Sequence, residues 1–265
     1  MNHFLRQKKE HHSLTSVKIE NFDFFYCNEE MASALYEEIF VQKIYEFKTN
    51  KKRPVIIDAG SNIGLATLFF KSQYPDAKII CFEPDPNAFN ILKTNVTANK
   101  LKNVILVNAA LSNKRGFVPF YGQMHERQAD SRGNSIIKLW GHQQNSSIEV
   151  LVKATLLSQF VTEEIDFLKM DIECAEHEVL QELGIKLHLV KEIMVEVHEM
   201  QYSPFNNQLL KICSILENAG FYVTKQKVDN IDFLPTQIQA WINRVDPIFS
   251  IVKGTRDPHL FGTEG

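Results

Sequence analysis

Acidic residues and a histidine lie at the ends of two apolar segments in the second half of the chain. Asp171 and Glu173 end the segment DFLKMDIE, and Glu196 and His198 lie in the segment VEVHE. Alternate residues of a strand share a face, so we expect Glu196 and His198 to point the same way. Carboxylates and an imidazole together can take a proton from an acceptor. The same groups are also hard ligands that suit Mg²⁺ or Mn²⁺.

A second set of residues predicts a turn that approaches a ligand. The segment VIIDAGSNIG begins as an apolar strand, reaches Asp58, and then turns through Gly60 and Gly64. Gly60 permits a tight turn, and Gly64 allows a close approach at the free N–H groups of the following helix. Asn62 stands where dinucleotide-binding turns have their middle glycine. The turn therefore favours a ligand that needs no pyrophosphate.

Glu83 provides an acid at the end of the next strand, in the segment CFEPDP. Doubly wound folds place an acid at about this distance on the hydroxyls of a ribose. The alternative is an acid that serves the start of the following helix. Combined with the glycine turn, Glu83 indicates a nucleoside ligand without a required phosphate, a description that S-adenosylmethionine meets.

The elements that position these residues alternate along the chain. Apolar runs of strand length are separated by segments of helical length, which predicts parallel strands covered on both faces. An open, doubly wound α/β sheet follows, with its ligands beyond the carboxyl ends of the strands. The predicted strands are PVIIDAG, AKIICFEP, NVILVNAAL, DFLKMDIE, KEIMVEVHE and FYVTKQKV.

An extension precedes this domain. Residues 1–50 contain one or two short strands or a hairpin at 17–27 and an amphipathic helix at 29–49. We expect the extension to cover the acceptor or to form an interface between copies of the chain. The main domain is assigned to residues 51–250.

Two later segments depart from the alternation. Residues 121–147 are polar without a clear period, and long loops of this kind are usually functional or disordered. We interpret this loop as a lid or substrate loop; the alternative is a surface insertion without a role. Residues 238–246 predict a last edge strand, and 251–265 a loose tail.

Composition excludes several function classes. A net charge of −3 and a pI near 6.3 provide no basic surface for nucleic acid. The four cysteines are widely spaced, which favours reduced thiols and a cytoplasmic protein over a disulfide framework. There is no secretory signal and no apolar stretch of about 18 residues, so no membrane association is expected.

Five segments together resemble the FkbM family of S-adenosylmethionine-dependent methyltransferases, across residues 54–225. The resemblance implies a class I methyltransferase fold, Rossmann-like, with a mostly parallel seven-stranded sheet. It also implies S-adenosylmethionine as cofactor and small-molecule acceptors, often hydroxyls of sugars or natural products. The segments are IIDAGSNIGLATLFF, CFEPDPNAFNILKTNV, VNAALSN, DFLKMDIECAEHEVLQ and IMVEVHE.

The resemblance also implies positions for the cofactor. The glycine turn would line the methionine and ribose side, Glu83 would hold the ribose, and the residues after the second and third strands would border the adenine. One departure concerns Cys174, where the family usually has glycine, so the backbone there either does not need a positive φ or is strained. The implied cofactor residues are Asp58, Gly60, Ser61, Asn62, Gly64, Glu83, Pro84, Asp85, Asn108, Ala109 and Asp171.

Methyl transfer to a hydroxyl benefits from a general base. Our hypothesis makes His198 that base, with Asp171 positioning the base or the acceptor and Glu196 orienting the imidazole. A metal bound by Asp171, Glu173, Glu196 and His198 is the less favoured alternative. Lys169 shares the face of Asp171, where we expect it simply to neutralise these acids. Cys174 is not expected to act as a nucleophile, because methyl transfer needs no covalent enzyme intermediate.

Three functions remain open at this point. The first is an O-methyltransferase acting on a sugar or secondary-metabolite hydroxyl. The second is an N-methyltransferase acting on an amine or a peptide side-chain amide, and nothing in the residues separates it from the first. The third is a non-catalytic nucleoside-binding scaffold, which the acids at three strand ends speak against. A homo-oligomer is possible through residues 1–50.

Overall fold

A computed structural model describes residues 14–123, 133–141, 147–200, 208–228, 239 and 247–260. These residues form an α/β fold around a seven-stranded sheet, with a two-stranded and a three-stranded sheet beside it. The strands are β1 (Thr15–Ile19), β2 (Phe22–Tyr26), β3 (Val55–Ala59), β4 (Lys78–Phe82), β5 (Val104–Val107), β6 (Ala110–Leu111), β7 (Gly116–Gly122), β8 (Ile148–Thr155), β9 (Ile165–Met170), β10 (Val190–Met200), β11 (Tyr222–Lys227) and β12 (Pro247–Thr255). The α-helices are α1 (Glu29–Tyr36), α2 (Leu65–Gln73), α3 (Pro86–Ala98), α4 (Lys138–Gly141), α5 (Glu176–Leu183) and α6 (Gln208–Asn218).

The central sheet has the order β11-β12-β10-β9-β3-β4-β5. Strand β12 runs antiparallel to both of its neighbours, and the other pairs are parallel. The chain leaves β3 toward β4 on one side and later fills the other side with β9 and β10. The strand order therefore reverses between β3 and β9, where doubly wound folds bind their ligands. The predicted doubly wound, mostly parallel sheet is confirmed.

Burial explains the near-continuous apolar strands. Every residue of β3 and of β9 is buried, because helices cover both faces of the sheet. One face packs against α1, α2, α3 and the β1–β2 hairpin. The other face packs against α5 and α6. The strand ends near the site are thus held from both sides.

The N-terminal extension packs onto the main domain. The hairpin at 17–27 is present as β1 and β2, and its backbone is bound by Asn95 of α3 and by Asn99, the residue that follows α3. Asn95 accepts from Phe25 N at 2.7 Å and donates to Phe25 O at 3.0 Å, and Asn99 makes the equivalent pair with Asp23. No described helix is long and apolar enough to cross a membrane.

The helix predicted at 29–49 is shorter than expected. Helix α1 ends at Tyr36 and is followed by a π-helical turn, Glu37–Val41. Beyond it, Tyr45 and Phe47 are buried in an irregular segment, where the Phe47 ring stacks on Phe167 with centroids 4.6 Å apart. Packing of these aromatic rings against the sheet overrides the helical period.

The three-stranded sheet, in the order β6-β8-β7, was not predicted. Strands β7 and β8 flank the polar loop at 121–147, and α4 lies within it. Ser135 forms an isolated bridge with Tyr121. Residues 124–132 and 142–146 lie outside the described residues, so the lid role of the whole loop stays a prediction.

The expectation of a loose tail from residue 251 is wrong for residues 251–255, which belong to β12. This strand fills the space between β10 and β11. Arg256 then donates to the backbone oxygens of Val190, Leu187 and Ala219, each at 2.8 Å. The predicted edge strand at 238–246 lies outside the described residues except for Gln239.

Candidate active site

The glycine turn after β3 is packed on two sides. Gly60 has φ +81°, and a Cβ built there would lie 1.8 Å from the backbone oxygen of Asp171. Gly64 has φ +93°, and its Cβ would lie 2.7 Å from Leu92 Cδ1 of α3. Gly60 therefore joins the turn tightly to the end of β9, as a close backbone approach requires.

Asp58 and Ser61 make hydrogen bonds that hold this turn in place. Asp58 is fully buried, and its Oδ2 accepts from Thr67 Oγ1 at 2.8 Å. Its Oδ1 lies 3.7 Å from Lys169 Nζ and has no hydrogen-bond partner within the described residues. Burial raises the pKa of Asp58, while Lys169 and Thr67 oppose that rise. Ser61 Oγ donates to Asp58 O at 2.7 Å.

Glu83 connects the turn to the end of β4. Its Oε2 accepts from Asn62 N and its Oε1 from Asp85 N, both at 2.8 Å. Burial and the neighbouring Asp85 raise the pKa of Glu83 to about 8, although both backbone N–H groups oppose this. A carboxylate has about four lone-pair positions, so acceptor capacity remains for vicinal hydroxyls. The remaining acceptor positions of Glu83 therefore fit the hydroxyls of a ribose.

The residues expected near the adenine form a hydrogen-bonded rim. Asp85 Oδ1 accepts from Asn87 N at 2.8 Å and caps α3. Asn108 Nδ2 donates to Glu83 O at 2.8 Å and to Pro84 O at 3.3 Å, while Ala109 is buried. The role of this rim toward a cofactor stays a prediction.

Asp171, Glu196 and His198 meet at the carboxyl edge of the sheet, as the strand pattern predicts. One ligand atom from each residue lies within 4.8 Å of the others. His198 Nε2 is 4.0 Å from Asp171 Oδ1. The parallel pairing of Val195 with Met170 sets this register. We call these three residues the acid–histidine cluster.

Two residues beside the cluster hold its carboxylates. Tyr45 donates its hydroxyl to Glu196 Oε1. Lys169 Nζ lies 3.5 Å from Asp171 Oδ2 and donates to Gly60 O at 2.5 Å. Burial alone would lower the pKa of Lys169, but the surrounding carboxylates, Asp171 first, raise it. Lys169 thus links the cluster to the glycine turn. Sequence reasoning missed Tyr45, because its segment predicted a helix.

The imidazole of His198 lies among carboxylates. Its Nε2 is 3.4 Å from Glu173 Oε2, and its Nδ1 is 3.7 Å from Glu176 Oε1. Burial alone would lower the pKa of His198, but Glu173, Glu176 and Asp171 raise it to about 10. The imidazole is therefore protonated at neutral pH in this arrangement. It is Glu176 that faces Nδ1, the position in which we expected Glu196.

Burial and the nearby acids also shift Glu196. Burial, Asp171 and Glu38 raise the pKa of Glu196 to about 8, while Lys169 and His198 oppose this. A carboxylate with a pKa near the working pH suits proton transfer. The cluster therefore contains a carboxyl group that ionises near pH 8 and an imidazole that keeps its proton to higher pH.

Part of the polar loop covers the cluster. Glu173 Oε1 accepts from Gly133 N at 3.0 Å, and Oε2 accepts from Trp140 Nε1 at 2.7 Å. Ser135 donates its hydroxyl to Glu173 O. The same segment also contacts the adenine rim, where Asn134 Nδ2 donates to Asp85 Oδ2 at 3.0 Å. The segment 133–141 therefore bridges the acid–histidine cluster and the rim.

The backbone at Cys174 is strained. The sequence allowed either this or a backbone that does not need a positive φ. Glu173 has φ +56° and Cys174 has φ +76°, both in the left-handed region that side chains rarely adopt. Cys174 Sγ donates to His198 O at 3.3 Å. Burial raises the pKa of the Cys174 thiol well above its usual range, so it is not a nucleophile.

The fold and the glycine turn define the class. A seven-stranded sheet with one antiparallel strand, a glycine turn after its first strand and an acid after its second is the arrangement of class I S-adenosylmethionine-dependent methyltransferases. The match of the methyltransferase FkbM domain to residues 58–223 then defines the family. The chain belongs to the FkbM family of methyltransferases.

Known proteins agree with this assignment. The chain is 28% identical to methyltransferase sdnD of Sordaria araneosa, over 80% of this chain and 91% of that protein. It is 24% identical to the 31-O-demethyl-FK506 methyltransferase FkbM of Streptomyces tacrolimicus, over 74% and 84%. A crystal structure of methyltransferase FkbM from Methylobacillus flagellatus KT superposes with TM-score 0.50 at 12% identity, over 78% of this chain and 45% of that one. That likeness concerns the fold alone.

Proposed function

We propose that this methyltransferase transfers the methyl group of S-adenosylmethionine to a hydroxyl of a small molecule. The observation that carries the proposal is the acid–histidine cluster beside the glycine turn, linked to it by Lys169. A hydroxyl is a weak nucleophile until it loses its proton, and the cluster can accept one. The name of the relative from Streptomyces tacrolimicus, a 31-O-demethyl-FK506 methyltransferase, supports oxygen as the target.

The chain's own residues fit the cofactor at the strand ends. Bound S-adenosylmethionine supplies an electrophilic methyl group on a sulfonium. We assign the ribose hydroxyls to Glu83, which the backbone N–H groups of Asn62 and Asp85 hold in place. Gly60 and Gly64 let the turn pack closely against Asp171 and Leu92. The turn and Glu83 would hold the cofactor beside the cluster.

Glu196 replaces His198 as the proposed general base. The pKa of Glu196 is raised to about 8 by burial, Asp171 and Glu38, and that of His198 is raised to about 10. Glu196 therefore loses its proton first, and its ionised fraction can act as the base. Glu196 takes the hydroxyl proton while the acceptor oxygen replaces sulfur on the methyl carbon, and the carbon–sulfur electron pair stays on sulfur. The products are a methyl ether and S-adenosylhomocysteine. The cation of Lys169 stabilises the developing negative charge on the acceptor oxygen.

The target atom is tested with a ¹³C-methyl label. The protein is incubated with labelled S-adenosylmethionine and panels of hydroxyl and amine acceptors, and the product carbon is assigned by NMR. We expect the label on oxygen, and we expect Glu196→Gln to lower kcat by roughly 10²- to 10⁴-fold. Label found only on nitrogen, or unchanged turnover in this variant, contradicts the proposal.

Glu199→Gln is the matched control. Glu199 is buried on the same strand, but its Oε1 accepts from Leu209 N at 3.2 Å, away from the cluster. The same chemical change there should leave turnover near the wild-type value.

A further inference from the structure

We propose that Asp171, Glu196 and His198 bind a divalent cation of the Mg²⁺ or Mn²⁺ type. The inference rests on the proposed function and deepens it. The ion would displace the proton of His198. Glu196 would bind the ion through Oε2 and accept the hydroxyl proton at Oε1, which has a lone pair beyond the one that Tyr45 uses. Two carboxylates and an imidazole are the hard ligands that such ions take. Cys174 is not a competing soft ligand, because its thiol is directed at the backbone oxygen of His198.

The spacing of the three groups suits an ion of this size. Octahedral Mg²⁺ holds each ligand at about 2.1 Å, which places pairs of ligand atoms about 3.0 to 4.2 Å apart. The three ligand atoms lie within 4.8 Å of one another, and His198 Nε2 is 4.0 Å from Asp171 Oδ1. The 4.0 Å separation is too long for a hydrogen bond. A small inward movement of these side chains would complete the coordination.

The histidine provides an observation independent of the acids. Its side chain is 7% exposed, and Nδ1 makes no hydrogen bond within the described residues. Nε2 lies between Glu173 Oε2 at 3.4 Å and Asp171 Oδ1 at 4.0 Å, and Nδ1 faces the carboxylate of Glu176, 3.7 Å away. A ligating histidine usually presents its second nitrogen to a carboxylate, which orients the ring and makes it more basic. A buried imidazole with the Glu176 carboxylate at one nitrogen and Asp171 near the other fits that pattern.

The two carboxylate ligands are held in a similar way. Tyr45 binds Glu196 Oε1, and Lys169 lies 3.5 Å from Asp171 Oδ2. The second oxygen of each carboxylate is therefore available to an ion. Such outer contacts orient the ligands before the metal arrives.

Glu173 is excluded from the ligand set that the sequence suggested. Its two carboxylate oxygens accept from Gly133 N and Trp140 Nε1. It therefore anchors the segment 133–141 above the cluster. Three protein ligands leave about three octahedral positions for water and an acceptor hydroxyl.

Charge balance favours a cation at this point. Four carboxylates, those of Asp171, Glu173, Glu176 and Glu196, surround the imidazole of His198. Lys169 offsets one of these charges at Asp171. A dication would compensate two of the remaining three acids, and a hydroxyl bound to it would lose its proton more easily.

The test uses Mn²⁺ as the probe on the full chain. After treatment with a chelator and its removal, Mn²⁺ is titrated in and the free ion is followed by electron paramagnetic resonance. We expect one site per chain, with affinity reduced at least tenfold in His198→Gln and in Glu196→Gln and unchanged in Glu199→Gln. Circular dichroism and thermal unfolding of each variant verify that it is folded. A wild type that binds no Mn²⁺, or equal affinity in all folded variants, overturns the inference.

A methyl-transfer assay separates this inference from the proposed function. Transfer to oxygen that continues at full rate in excess chelator rejects the metal and leaves the proposed function intact. Mn²⁺ binding that the two variants weaken, with label found only on nitrogen, supports the metal and rejects O-methylation. Loss of O-methylation in chelator, restored by Mg²⁺ or Mn²⁺, supports both.

Discussion

Replacing Gly60 by alanine tests the contact between the glycine turn and the acid-bearing strand. Gly60 has φ +81°, and the new Cβ would lie 1.8 Å from the Asp171 oxygen and 2.9 Å from its carbonyl carbon. Both neighbours are backbone atoms, so the turn or the end of β9 must move by more than an ångström. The substitution therefore disturbs the expected cofactor site and Asp171 together.

The magnitude has two parts. Holding a non-glycine residue in the left-handed region costs about 1–2 kcal/mol. Forcing an extra group into a packed position costs about 1–3 kcal/mol more. We expect Gly60→Ala to lower the free energy of unfolding by about 2–5 kcal/mol, a large part of a typical total of roughly 5–15 kcal/mol. We also expect it to abolish S-adenosylmethionine binding, measured by calorimetry.

Gly116→Ala is the matched control. Gly116 also has a positive φ, +119°, but a Cβ there meets nothing within 4 Å. In this variant the free energy of unfolding should fall only by the cost of the positive φ, about 1–2 kcal/mol. The variant should bind the cofactor normally. If Gly60→Ala unfolds at the same denaturant concentration as Gly116→Ala and binds S-adenosylmethionine as the wild type does, the assigned contact between the turn and Asp171 is refuted.

Two further predictions concern stability away from the site. Arg256→Met leaves three backbone oxygens without the guanidinium and removes its contact with Phe221. We therefore expect the free energy of unfolding, measured with denaturant, to fall by about 2–4 kcal/mol. A decrease below about 0.5 kcal/mol would contradict this. Burial, Asp257 and Asp166 raise the pKa of Glu192 to about 7, so the folded state prefers the protonated acid. Wild type should therefore lose stability relative to Glu192→Gln as pH rises from about 4.5 to 7, by at most about 3 kcal/mol, and a pH-independent difference would show that this pKa is not raised.

Sequence reasoning succeeded where local pattern and topology agree. Strands β3, β4, β9 and β10 are apolar because both faces of the sheet are covered. Such apolar runs can be recognised in any short stretch of the sequence. The meeting of Asp171 with Glu196 and His198 follows from two rules, the alternation along a strand and the common edge of parallel strands. Glu83 follows from its position after the second strand.

Sequence reasoning failed where a contact depends on distant parts of the chain. Tyr45 reaches Glu196 from an irregular segment whose aromatic residues mimic a helical period. Trp140 lies in the polar loop, and its contact with Glu173 depends on how that loop folds back. Strand β12 was missed because Lys253, Gly254 and Thr255 suggest a loop, although Gly254 packs closely against Ile193 of β10. Its place in the sheet comes from pairing with two strands that lie earlier in the chain.

The most direct test of the account is calorimetric titration of S-adenosylmethionine into the wild type and into Glu83→Gln. The titration is run above pH 8, where Glu83 is ionised. The variant keeps the shape of the side chain but lacks the charge that would accept from the ribose hydroxyls. A hydrogen bond to a charged group contributes about 1.5–3 kcal/mol, so we predict one site in the wild type and an affinity roughly 10- to 150-fold lower in the variant. A wild type that does not bind, or a variant that binds equally well, would contradict the proposed cofactor site.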